Sequence, residues 1–149
     1  MEPIYNWDAE KKITTCTLTD NKGRSFVGVA RCHPTDDDFG NSYTGSHIAC
    51  ERSVIKYLKS VLRDELQPGL AALKQLYYSI NKSKNYNPKS YESIMLRRQI
   101  RLKEDDIEFI KQELADREQR LKVYIAEKDM FYQKTRKSRA AKLPSDETN

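Results

Sequence analysis

Apolar positions alternate or cluster in short runs over the first third of the chain, then recur every three or four residues over the remainder. Ile13 to Leu18 and Phe26 to Cys32 are β-branched, aromatic and small apolar runs that flank Asp20-Asn21-Lys22-Gly23. That segment supplies residues that tolerate the positive φ of a tight turn, so the pattern predicts a β-hairpin over 13–33. Gly28 and Ala30 are small residues inside the second strand, which implies that another backbone or helix packs closely there. His33-Pro34 ends the strand, because proline donates nothing to a ladder.

Past Asp36, Asp37, Asp38, Phe39, Gly40, Asn41 and Gly45, the spacing of Ile48, Val54, Ile55, Leu58, Val61, Leu62 and Leu66 predicts a helix with Ser46 as its N-cap. Pro68-Gly69 either kinks that helix or separates it from a second one over Leu70 to Ile80, and proline at the first position of a new helix fits equally well. A polar loop, Asn81 to Pro88, precedes Ser90, which is placed to cap a long helix running towards Arg139. Such a helix reaches roughly 70 Å at 1.5 Å per residue. Along it Ile100, Ile107, Leu114 and Leu121 recur every seven residues, with Ile110, Tyr124 and Phe131 in the intermediate seam, a modest coiled-coil signal. The expected fold class is therefore α+β: a small antiparallel sheet, then a long helical hairpin, partly coiled-coil and oligomeric. We expect a single domain over 1–139, with the hairpin at 13–33, a helix or kinked pair at 46–80, a long helix at 90–139 and a flexible tail at 140–149.

Composition thins the expected core. A third of the 149 residues are charged and 38% are hydrophobic, which suits long solvated helices and subunits that complete their burial by oligomerising. No apolar run approaches the length of a membrane span, and Met1 to Asp8 lacks the features of a secretory signal, so a cytoplasmic protein is expected. Cys16, Cys32 and Cys50 are an odd number without framework spacing, which favours reduced thiols in small buried positions.

Charge changes the picture further. Between Lys74 and Lys103 eight bases face the lone acid Glu92, giving +7, while the remaining 19 bases and 21 acids give −2. Tyr77, Tyr78, Tyr86 and Tyr91 interleave with Asn81, Asn85 and Asn87 in the same stretch. Arginine and lysine answer phosphate, tyrosine faces stack on bases and asparagine amides read base edges, so the mixture suits a nucleotide. Arg97 and Arg101 share a helix face beside Arg98, near Tyr91 and Met95, and a phosphate clamp there competes with a plain solvated face. Basic residues at a helix start oppose the macrodipole and call for another reason. Of Tyr77 and Tyr78, whichever points inward is a core residue rather than a ligand contact.

Other chemistry is weaker. His47 and Cys50 have the gap of a zinc half-site, but Cys32 and His33 are adjacent on a strand and supply no second pair. Asp36 to Asp38 reads as a solvated turn rather than a cation site. Acids between Glu104 and Glu118 alternate with bases like an exposed helix face, and nucleophile motifs and phosphate-binding glycine loops are absent, so no enzyme, cofactor or metal is expected.

Phe26-Val27-Gly28-Val29-Ala30-Arg31-Cys32-His33-Pro34, the Asp-rich turn, then Gly45, Ile48-Ala49 and Arg52, and the helical carboxyl-terminal region resemble the phage Thoeris anti-defence proteins of the first type, over nearly the whole chain. The resemblance implies a sponge that binds cyclic ADP-ribose-type signals in an infected bacterial cytoplasm without cleaving them and so blocks the effector. Some members look able to capture cyclic oligonucleotides at separate basic sites. It also implies a homodimer or higher homo-oligomer such as a hexamer, with pockets beside the dimer interface. Carried onto this chain, the aromatic role falls to Tyr77, the amide role to Asn87 and the phosphate roles to Arg52 and Arg101, with Arg98 the substitute if the helical phase differs. Tyrosine stands where the family has a stacking phenylalanine. Two other readings are a small basic helical nucleic-acid-binding protein, disfavoured by the acids at Glu104, Asp105, Asp106 and Glu108, and a coiled-coil scaffold without ligand.

Overall fold

The computed structural model describes residues 1–31, 42–82 and 87–142. It is α+β, with a three-stranded antiparallel sheet followed by long helices. The strands β1 (Ile4–Asp8), β2 (Ile13–Thr19) and β3 (Ser25–Arg31) form a meander in the order β1-β2-β3. The helices are α1 (Ser42–Val61), α2 (Gln67–Asn81) and α3 (Tyr91–Lys142). Two compact units emerge, residues 1–54 with 117–149 and residues 55–116. No described helix is long and apolar enough to cross a membrane.

The predicted hairpin is β2–β3, with Cys16 opposite Gly28 and Thr14 opposite Ala30. Its turn is built on Asp20. The backbone N–H of Gly23 donates to the Asp20 carbonyl at 3.1 Å, and the Asp20 carboxylate accepts the N–H groups of Lys22 and Arg24, both at 2.9 Å. Gly23 takes a φ of 78°, the left-handed conformation that glycine adopts without a Cβ penalty. Strand β1 is an addition to the expected hairpin: Ile4 pairs with Thr17 and Asp8 with Ile13. A four-residue connection closes it, with Asp8 Oδ1 accepting the N–H groups of Glu10 and Lys11 and Lys12 at φ 54°.

Alternation decides what the sheet buries. Thr14, Cys16 and Leu18 point to the covered face, where Cys16, Ala30 and Ala49 form the core of the first unit with Ile48 and Cys50 against them. Gly28 permits this. A Cβ there would overlap the Ala49 carbonyl oxygen and stand 2.6 Å from the Ser53 amide nitrogen, so α1 lies directly on the strand backbone. Ser53, fully buried, gives its hydroxyl to the Cys50 carbonyl at 2.8 Å and also reaches the Cys16 sulfur at 3.5 Å. Burial raises the Cys16 thiol pKa, and the hydroxyl of Tyr5, held by the Cys50 thiol and partly shielded from water, is pushed up to about 12. Both stay protonated at neutral pH.

Helix α1 starts earlier than expected, so Ser46 sits inside it rather than capping it. Between α1 and α2 the chain stays helical through a π turn, Leu62–Leu66, closed by the Gln67 N–H on the Leu62 carbonyl. Pro68 follows directly after that turn, so a carbonyl one turn back receives no N–H from it. The wider turn takes up the backbone space that proline demands, which reconciles Pro68 with an unbroken helix. Ser90 does cap α3: its Oγ accepts the Ser93 N–H at 3.2 Å and pairs with the buried Ser93 hydroxyl at 3.0 Å. In the second unit Ile55, Leu96, Ile107 and Leu114 are buried, and Lys74 of α2 pairs with Glu104 of α3 at 3.5 Å. Phe131, placed in the seam by spacing, is exposed. Cys32, His33, Pro34, the Asp36 to Asp38 turn and the tail beyond Lys142 lie outside the described residues.

Candidate functional site

Four of the five expected ligand residues belong to the second unit, and the fifth, Arg52, to the first. Arg52 donates its Nη1 to the Val29 carbonyl of β3, so part of its guanidinium ties α1 to the sheet. Asn87 stands just ahead of the α3 cap. Its Oδ1 accepts the Lys89 N–H at 3.0 Å and its carbonyl accepts that of Ser90, which fixes the loop entering the helix.

The three arginines of α3 divide by role. Arg97 reaches back to the Pro88 carbonyl at 2.6 Å and braces the same loop. Arg98 and Arg101 are exposed and have no hydrogen-bond or ion-pair partner among the described residues. They lie seven and ten residues past the start of α3, beyond the first-turn reach of the helix dipole, so their own charges carry any attraction for an anion. Two unneutralised guanidiniums there can hold a phosphate or pyrophosphate.

The aromatic assignment is sharper in the structure than in the sequence. Tyr77 is half-buried, whereas Tyr78 is exposed and carries the Lys82 ammonium 4.7 Å from its ring centroid. Tyr78 thus offers the more open ring at the end of α2, with a cation on it. Tyr91, at the start of α3, is more exposed still.

A second feature, absent from the sequence reading, lies wholly within the first unit. His47, Glu51, Arg117, Arg120, Leu121 and Tyr124 line a cleft of about 340 Å³. Arg117 Nη1 spans both Glu51 carboxylate oxygens at 3.1 and 3.2 Å, in a pair that is about three-quarters buried. His47 is stacked near Tyr43, centroids 6.4 Å apart, and meets the Tyr124 ring at 4.5 Å. Tyr124 Oη is buried and has no hydrogen-bond partner among the described residues. The cleft therefore combines an aromatic wall, the Arg117–Glu51 pair with Arg120 beside it, and a hydroxyl without a partner among the described residues. A small polar ligand with a hydrogen-bonding group suits that chemistry.

Sequence reasoning missed it for a physical reason. Arg117 and Arg120 sit among acids and resemble a solvated helix face, while the carboxylate that meets Arg117 is on α1, 66 residues earlier. The one local signal was spacing: His47 and Glu51 are one turn apart, as are Arg117, Arg120 or Leu121, and Tyr124. Among the described residues no three His, Cys, Asp or Glu side chains are grouped to hold a metal ion.

No family model, curated protein or solved structure matches this chain.

Proposed function

We propose that the protein is a non-enzymatic sponge that captures a cyclic ADP-ribose-type nucleotide, acting as a homodimer or higher homo-oligomer in the cytoplasm of an infected bacterium and blocking a Thoeris effector. The observation that carries the ligand class is the exposed, unpartnered state of Arg98 and Arg101 on α3. Arg101 holds the pyrophosphate, with Arg98 as the alternative. Asn87 contributes its amide N–H groups to the base or ribose. An aromatic face from the end of α2, Tyr77 or the more open Tyr78, stacks on adenine. Such stacking contributes about 1–3 kcal/mol per base, and each charge-assisted bond about 1.5–3 kcal/mol. A sponge must outcompete a receptor, and nanomolar affinity corresponds to about −12 kcal/mol, which favours an enclosed site. The exposed acids Glu104, Asp105, Asp106 and Glu108 end the basic stretch and argue against a long phosphate backbone.

The test is retention. Purified protein is incubated with cyclic ADP-ribose isomers, freed of unbound material and heat-denatured, and the released compound is analysed. Intact nucleotide supports a sponge, a linear product makes the protein an enzyme, and no retention rejects the proposal. Asn87→Ala and Arg101→Ala are each expected to lose retention at unchanged hydrodynamic size.

A further inference from the structure

Helix α3 has a second apolar stripe that the described residues do not cover. Tyr91, Ile94, Leu102 and Phe109 are 76%, 47%, 55% and 68% exposed. At 3.6 residues per turn they fall with Arg98, Asp105 and Gln112 inside an arc of about 80°, opposite the buried Leu96, Ile107 and Leu114. Single exposed apolar residues need no explanation, but four large ones aligned over about 27 Å of one helix face form a patch.

The order of residues in this stripe is self-complementary. Arg98 and Asp105 are equally far from the midpoint between Arg101 and Leu102, as are Ile94 and Phe109, and Tyr91 and Gln112. A second copy of the helix, antiparallel about a two-fold axis at that midpoint, sets six of these seven residues against one another in three kinds of pair, with the seventh, Leu102, next to the axis. Ile94 meets Phe109, Arg98 meets Asp105, and Tyr91 meets Gln112, each twice. Arg98 and Asp105 have no partner within the chain among the described residues, so both charges are available for this pairing. We propose that this face of α3, Tyr91 to Gln112, is the surface on which two copies of the protein dimerise. The idea deepens the homodimer of the proposed function, and it leaves Arg101 of each copy beside the axis for the ligand.

The test uses charge reversal on the full chain and reads mass by sedimentation velocity and native mass spectrometry. Wild type is expected to be dimeric. Arg98→Asp and Asp105→Arg each place like charges opposite one another, and each is expected to raise the dimer dissociation constant at least tenfold with helix content unchanged. Mixing the two variants restores opposite charges at both pairs, so a heterodimer is expected at wild-type affinity. A monomeric wild type would assign the face to a different protein and overturn the proposal. So would single variants that dimerise like wild type, or a mixture that forms no heterodimer. Nucleotide retention is measured separately, so a failed dimer and a failed ligand remain distinguishable.

Discussion

Asp20 shows how one side chain holds the hairpin. Shielding from water pushes its carboxyl up, but the Arg24 backbone N–H and guanidinium and the Lys22 N–H more than offset this and hold its pKa below the usual carboxylate value. A lowered carboxyl contributes stability that is present above the unfolded pKa, near 4, and is lost as pH falls through the folded value. Urea titrations from pH 7 to pH 2 should therefore show wild type losing stability on acidification more steeply than Asp20→Asn. Gly28 is a steric requirement. Gly28→Ala must push α1 off β3 and is expected to cost about 3 kcal/mol in urea denaturation, at the upper end of overpacking effects. Tyr124 points the other way. Its hydroxyl is buried and unpaired among the described residues, so Tyr124→Phe should stabilise the free protein by about 1 kcal/mol. A ligand that bonds this hydroxyl in the cleft would stabilise wild type more than the variant, read as a difference in thermal shift.

At the scale of elements, legibility tracked local chemistry. The β2–β3 hairpin and the Ser90 cap were readable because turn and cap residues act within four positions of themselves. Strand β1 was not, since Ile4-Tyr5-Asn6-Trp7-Asp8 mixes strand formers with turn residues and is defined by its pairing to β2. The π turn before Pro68 was equally hidden, because proline states that a turn must change and not how. Phe131 is exposed within the chain, and a helix drifts about 20° per heptad, or about 60° from Ile110 by that point. Of the candidate site, the arginines and Asn87 were visible as residue types, while their division into bracing (Arg97, Arg52) and unpartnered (Arg98, Arg101) groups depends on the carbonyls they meet. Ser90→Ala removes the acceptor for the Ser93 N–H and leaves the buried Ser93 hydroxyl without its partner. It is expected to cost about 1–2 kcal/mol by chemical denaturation.

For the molecule as a whole, the question is whether its basic segment serves one small anion or a polymer. The +7 of residues 74–103 lies inside the second unit and is followed at once by exposed acids on the same helix. A nucleic acid laid along it would meet that negative charge after a few phosphates. Ionic strength separates the cases, because a protein that neutralises six to ten phosphates loses about 10³–10⁵ in affinity between 50 and 200 mM salt. A site that holds a pyrophosphate with one or two guanidiniums is expected to lose at most about tenfold over the same range. Titration calorimetry with a cyclic ADP-ribose isomer should show this shallow dependence. Arg101→Ala should weaken binding roughly 10- to 150-fold, the equivalent of one charge-assisted contact, and flatten the salt response further. A steep dependence that persists in Arg101→Ala would mean that charge is spread along the surface, and the nucleotide site would have to be given up for a nucleic-acid groove.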